Sequence, residues 1–177
     1  MSAVQIREAT IEDANAVFNL YRAVAKIPGG LARLEAEISH DYIAKILQHL
    51  ALSGLMLLAT NNSSGEQRVV GCIHAYTPAL YCFSHVLSEL TIAVHPEQQG
   101  TGVGRLLFSG FMQKVATGLL HIDRVELISR QSNRKAIEFY TSMGFVQEGE
   151  MRGRIKNIDG SLESDIPMAW TRSSLTK

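Results

Sequence analysis

The residues best suited to chemistry lie together in Gln99-Gly100-Thr101-Gly102-Val103-Gly104-Arg105. The preceding Leu90 to Val94 is aliphatic and β-branched, with no Gly or Pro, and reads as a strand. Pro96 ends it, because proline cannot donate a ladder hydrogen bond. From Val103 the apolar spacing changes to that of a helix, through Leu106, Leu107, Gly110, Phe111 and Val115. A strand, a glycine turn and a helix start make an anion cradle. The first N–H groups of a helix lack internal partners, and its dipole adds roughly 0.3–1 kcal/mol of attraction for a negative charge. Glycines let the backbone take positive φ and approach a phosphate closely. The ligand of this turn is therefore expected to carry phosphate.

Two familiar phosphate loops do not fit. A P-loop needs Lys and then Ser or Thr after its last glycine, where this chain has Arg105 and Leu106. A dinucleotide fingerprint needs G-x-G-x-x-G, and the spacing here is Gly100-x-Gly102-x-Gly104.

The elements that must position this turn follow the chain. Val4 to Ala9 alternates as a first strand; Thr10 and Asp13 mark a helix entry, after which Ala14, Val17, Phe18 and Tyr21 share a face. Pro28-Gly29-Gly30 forms a loop, and Leu31 to Leu52 reads as helix with a break near Ser39-His40-Asp41. Leu55 to Ala59 is a buried strand, Asn61 to Gly65 a turn, Arg68 to Tyr76 another strand, and Thr77 to Ser84 irregular. After the central strand–loop–helix, which ends near Gly118, Val125 to Ser129 returns as a strand parallel to Leu90–Val94. Asn133 caps a helix carrying Ala136, Ile137, Tyr140 and Met143 on one face, closed by Gly144. A strand from Phe145 to Met151, a turn at Asp159-Gly160 and a last strand with Ile166, Met168 and Trp170 complete the chain. Pro167 within that strand marks an edge or a bulge.

Composition narrows the function classes. At 177 residues a single domain spanning 1–177 is expected, and 46% hydrophobic with 19% charged residues is the balance of a globular protein. Seventeen basic and seventeen acidic residues cancel, which speaks against nucleic acid or an anionic membrane as partner. No apolar run is long enough to span a bilayer, and no signal pattern opens the chain, so a cytoplasmic location is expected. Cys72 and Cys82 stand apart from any Cys/His cluster, which argues against zinc; both read as packing residues with free thiols, and no metal cofactor is expected.

Gln99-Gly100-Thr101-Gly102-Val103-Gly104 matches the pattern Gln/Arg-x-x-Gly-x-Gly/Ala, and Asn133, Ala136, Phe139, Tyr140, Gly144 and Phe145 match Asn-x-x-Ala-x-x-Phe/Leu-Tyr-x-x-x-Gly-Phe. With both blocks in this order, residues 3–172 resemble the GNAT superfamily of acetyl-CoA-dependent N-acetyltransferases. The resemblance implies an α/β, GNAT-like single domain with a mixed, splayed central sheet flanked by helices. It implies acetyl-CoA as cosubstrate, its pyrophosphate on Gln99, Gly100, Thr101, Gly102, Val103, Gly104 and Arg105. The pantetheine arm would meet the main chain of Ile92, Ala93 and Val94 and the side of Asn133 and Ala136.

Around the central strand the resemblance is to phosphinothricin-type acetyltransferases, which places Glu89, at the start of that strand, as general base. An amine of pKa about 10 is mostly ammonium at neutral pH and must lose a proton before it attacks a thioester. Tyr140 is placed as the acid that gives a proton to the departing coenzyme A thiolate. Attack is direct, without an acyl-enzyme. His74 and His85 are further candidate proton carriers, His95 reads as structural, and Arg33, Glu35 and Glu37 are candidates to meet the acceptor. The acceptor is a small-molecule amine, or a peptide N-terminus in the alternative that the chain is an N-terminal protein acetyltransferase. A non-catalytic acetyl-CoA sensor is the non-enzyme alternative. A homodimer through an edge strand near Trp170 is a further expectation.

Overall fold

A computed structural model describes residues 4–27, 29–63 and 66–172 of the chain. Pro28 and the Ser64-Gly65 part of the expected turn lie outside them. The fold is mixed α/β: strands β1 (Gln5–Glu8), β2 (Gly54–Ser63), β3 (Glu66–Tyr76), β4 (Val86–Val94), β5 (Arg124–Arg130), β6 (Val146–Gln147), β7 (Met151–Lys156) and β8 (Leu162–Thr171), with helices α1 (Ala14–Ala25), α2 (His40–Ser53), α3 (Val103–Gly118) and α4 (Arg134–Ser142). Contacts divide the chain into two compact units, residues 1–76 with 91–118, and residues 77–90 with 119–177. The division falls inside β4, between Leu90 and Thr91.

In the first unit β1, β2 and β3 pair antiparallel, Gln5 opposite Thr60 and Gly54 opposite Tyr76. Alternation sends Met56, Leu58 and Cys72 to one face, where they pack with Val17, Leu20, Tyr21 and Val24 of α1 and Ile43, Ile46 and Leu47 of α2. Helix α3 lies close on β3, and Gly71 makes that approach possible. A Cβ there would stand 2.7 Å from Leu107 Cδ1, so Leu107 would have to shift to admit one. The buried stripe of α3 is Val103, Leu107, Phe108, Phe111 and Val115. Leu106, expected on it, is exposed, and Phe108 takes its place.

Two further expectations for this unit are corrected. Only a 3₁₀ turn at Glu35–Glu37 precedes α2 in the stretch read as helix from Leu31. Here local charge pairing replaces helix: Glu37 Oε2 accepts the Leu34 N–H at 2.7 Å, and Glu35 takes Arg22 of α1. The break itself holds, with Ser39 capping α2 through the Tyr42 N–H. Strand β2 runs on through Asn61 and Asn62 to Ser63, paired with Arg68, Gln67 and Glu66, so these residues are strand rather than turn.

In the second unit the first half of β4 lies parallel to β5, with Val86 opposite Arg124 and Leu87 opposite Val125. Those two pairs are the whole ladder recorded between strands that run on to Val94 and Arg130. β5 pairs antiparallel with β8, and β8 carries β6 and β7 along its other side. Strand β8 therefore lies between β5 and the pair β6 and β7 rather than at an edge of the sheet, and Trp170 lies opposite Val125 of β5. Pro167 has an outlet all the same. Its carbonyl accepts the Glu148 N–H at 3.0 Å, so its missing donor faces the gap between β6 and β7. That gap splits the strand expected over Phe145–Met151.

Strand β1 is tied to α1 through a carboxylate. Asp13, 8% exposed, accepts Arg7 Nη2 at 2.6 Å and Nη1 at 2.8 Å, and the Thr10 N–H at 2.8 Å. The Arg7 hydrogen bonds hold its pKa below the usual range against the opposing effect of burial. Asp13→Ala is expected to lower stability by roughly 2–3 kcal/mol at pH 7 in urea denaturation. A depressed carboxylate stabilises above its unfolded pKa of about 3.9, so the gap should close as pH falls through the lowered native value. Equal stability at pH 7 would remove this tie.

Candidate active site

The expected phosphate turn is built as its residues dictate. Strand β4 stops at Val94, a 3₁₀ turn covers Pro96–Gln98, and the chain reaches α3 through Gly100 at φ 77° and Gly102 at φ 93°. Both angles lie in the left-handed region that favours glycine. A Cβ at either position would meet nothing within 4 Å, so the space beside the turn is open there. Gly104 differs: its φ is ordinary, and a Cβ would touch only Val94 Cγ2 at 3.6 Å. Leu106 N–H closes on Gly102 O at 3.0 Å, and the N–H groups of the first turn ahead of it point toward the loop.

The shoulders of the loop are pinned. His95 N–H donates to Val70 O at 2.9 Å, Gln99 Nε2 to Val94 O at 3.1 Å, and Thr101 Oγ1 to Gln98 O at 2.7 Å. Arg68 of β3 donates to His95 Nε2 at 2.8 Å and to Glu97 Oε2 at 3.3 Å. Desolvation and then Arg68 lower the pKa of His95, which favours the neutral ring. His95 is structural, as its place beside Pro96 suggested. Ile92, Ala93 and Val94 lead into this loop, with the carbonyl of Val94 already engaged by Gln99.

The remaining expected site residues, Glu89, Asn133, Ala136 and Tyr140, belong to the second unit. Glu89 lies in the middle of β4, not at its start, because the strand begins at Val86. It is exposed and has φ 55°, a conformation that costs an L-residue about 1–2 kcal/mol. Its neighbour Ser88 donates to Glu126 Oε2 at 3.2 Å, and Arg124 binds Glu126 at 2.6 Å and Glu148 through both guanidinium nitrogens. Paired charges thus flank the strand on which Glu89 stands.

Asn133 caps α4: its Oδ1 accepts the Ala136 N–H at 3.2 Å. Gly144, at φ 88°, closes the helix, and Phe145 N–H returns to Tyr140 O at 3.0 Å. Tyr140 is 9% exposed, with Phe139 and Phe145 tilted against it at 5.6 and 6.2 Å. Burial raises its phenol to about 12, so it stays protonated throughout the neutral range.

Of the other candidate side chains, those of His74, Arg33, Glu35 and Glu37 are engaged within the structure. His74 is 2% exposed, its Nδ1 is 2.8 Å from Tyr21 Oη, and burial lowers it to about 4. A base needs a pKa near the working pH, and His74 is a neutral core histidine. Its partner Tyr21 lies 53 residues away, so no local sequence signal pairs them. His85 is exposed and serves through its carbonyl, which accepts Asp123 and Arg124 N–H. Arg33 stacks over Tyr42 at 4.2 Å, so it and the paired Glu35 and Glu37 are used locally. Cys72 is buried and its thiol raised to about 12, whereas Cys82 is exposed and so is not the packing residue expected. Among the described residues no helix is long and apolar enough to cross a membrane.

Comparison with known proteins agrees with this geometry. The family model described as "Acetyltransferase (GNAT) domain" matches residues 53–147, more than half of the chain. The chain belongs to the GNAT acetyltransferases. The GNAT-family acetyltransferase of Streptococcus pneumoniae is similar in structure at TM-score 0.83 and 20% identity, with 96% of this chain and 100% of that one covered. The yncA protein of Salmonella typhimurium, described as an acetyltransferase and solved with its cofactor acetyl-CoA, is similar at 0.80 and 19%, over 96% and 94%. The ribosomal-protein-S18-alanine N-acetyltransferase of Escherichia coli is similar at 0.73 and 22%, over 96% and 94%. No match is found among curated proteins. This GNAT chain is an acyltransferase.

Within this GNAT loop only two glycines carry a conformational demand. Gly102→Ala is expected to destabilise by about 1–2 kcal/mol, while Gly104→Ala, at a helical position, should be neutral or stabilising by up to about 1 kcal/mol. Urea denaturation of both variants decides it. Equal losses would mean that the loop does not depend on left-handed backbone.

Proposed function

We propose that the protein transfers the acetyl group of acetyl-CoA to a primary amine by direct attack. The observation that carries this reading is the open, left-handed turn at Gly100 and Gly102 on the amino end of α3. Such a turn suits a pyrophosphate, held by main-chain N–H groups from Gln99 to Arg105 without a lysine. Ile92, Ala93 and Val94 offer a strand edge to the pantetheine amides, and Asn133, with Ala136 behind it, offers a side-chain amide.

In the reaction the amine lone pair attacks the thioester carbon and a C–N bond forms. The tetrahedral intermediate collapses, the C–S bond breaks, and the electron pair leaves on sulfur. Glu89 takes the proton that the ammonium must shed, directly or through water. Its exposed carboxylate, on a backbone held at φ 55°, is the kind of local strain that collects at working residues. Tyr140 has a narrower role than full acid. Transfer from a phenol at about 12 to a thiolate whose ordinary pKa is about 8.5 is uphill. It donates a hydrogen bond to the sulfur as charge develops, and the thiol takes its proton from water.

Acetyl-CoA at ~100 times its dissociation constant should stabilise the fold by ~2.7 kcal/mol. Absence of both a thermal shift and a calorimetric signal would refute the cosubstrate assignment. With an acceptor found by screening small amines and peptide N-termini for release of free thiol, Glu89→Gln should bind acetyl-CoA normally and turn over 10²–10⁴-fold more slowly, as expected for loss of a base (roughly). Tyr140→Phe should also bind normally and lose turnover. A wild-type rate in either variant would remove that residue from the chemistry.

A further inference from the structure

Glu163 is the first residue after the start of β8, yet its carboxylate serves the turn ahead of α4. Its Oε1 accepts the N–H of Ser132 at 2.8 Å, and its Oε2 lies 3.4 Å from Arg130 Nη1. The same Arg130 nitrogen donates to Asn157 Oδ1 at 3.0 Å, in the hairpin between β7 and β8. The side chain of Glu163 is 12% exposed and that of Arg130 is 29% exposed, so water competes little for the carboxylate. Hydrogen bonds from Ser132 lower its pKa, which keeps it charged. Asn133 N–H in turn donates to Arg130 O at 3.0 Å. Glu163 thus holds the backbone N–H just ahead of Asn133, and the Arg130 carbonyl holds that of Asn133 itself.

What that backbone must present is an oriented amide. Asn133 Oδ1 is committed to the Ala136 N–H, which fixes the side chain so that Nδ2, with its two donors, turns away from the helix. A small rotation of the 130–133 turn would break the cap and misaim the donors together. We infer that Glu163, with Arg130, is a positioning residue for Asn133, setting its amide for the carbonyl of a pantetheine arm. This rests on the cosubstrate reading above. Neither residue touches the substrate.

The test compares two probes on the full chain, coenzyme A and 3′-phospho-ADP. The second has the pyrophosphate but no pantetheine, so it reports on the glycine loop alone. Glu163→Ala should weaken coenzyme A roughly ten-fold, the scale of a lost charge-assisted hydrogen bond, and leave 3′-phospho-ADP unchanged. Glu163→Gln keeps an oxygen for the Ser132 N–H and should recover most of the loss. Asn133→Ala added to Glu163→Ala should cost nothing further, because the two act through one contact. Should Glu163→Ala fail to fold, Glu163→Asp, which keeps the charge but shortens the reach, should show the same selective loss. Unchanged coenzyme A affinity, equal weakening of both probes, or additive effects with Asn133→Ala would overturn the assignment. If the wild type binds 3′-phospho-ADP and coenzyme A yet the variants are indifferent, this inference alone fails. A wild type that binds neither overturns the cosubstrate reading and this inference with it.

Discussion

The structure turns on left-handed backbone at two glycines. Strand β4 ends at Val94 and α3 begins at Val103, and the chain between them reverses only because Gly100 and Gly102 take φ of 77° and 93°. Nothing fills the side of the turn that a side chain would have occupied. The rest of the first unit braces that turn. β3 supplies the Val70 carbonyl and the Arg68 guanidinium that hold His95, and Gly71 lets α3 settle on the sheet. A phosphate site made of main-chain groups is no more rigid than the strands behind it, and here those strands are the core of the unit.

The second unit solves a different problem, that of holding polar side chains on thin secondary structure. Helix α4 spans only Arg134–Ser142, too short to be stable alone. Caps at both ends, Asn133 and Gly144, and the burial of Tyr140 and Phe145 keep it in place. The ladder between β4 and β5 covers only two pairs, and just past it Glu89 stands in strained backbone. A strand fully paired along its length would have had little room for such a residue. The left-handed residue stands where the pairing with β5 stops.

Much of this was legible from residue types. Glycines at 100, 102 and 144 announced positive φ, Asn133 announced a cap, Ser39-His40-Asp41 announced a break, and Asp159-Gly160 announced the turn that closes β7 on β8. What escaped depends on partners distant in sequence. The Leu31–Leu34 stretch has helical spacing, but Glu35 is drawn to Arg22 and Arg33 to Tyr42. Pro167 read as a sign of an edge or a bulge, and the structure breaks the neighbouring strand beside β8. The pairing of His74 with Tyr21, and of Glu163 with Ser132, spans 53 and 31 residues with no periodicity to reveal it. Glu89 was found by resemblance, but its left-handed backbone has no signature in an ordinary run of strand residues.

In the function proposed above, acetyl-CoA lies along the end of β4 with its pyrophosphate on the loop before α3. Amide hydrogen exchange, followed with and without saturating coenzyme A, tests it most directly. Exchange should slow across residues 92–105 and around Asn133, with β1 and β2 unchanged. Coenzyme A that binds at saturation yet leaves exchange at residues 99–105 unaltered would contradict it.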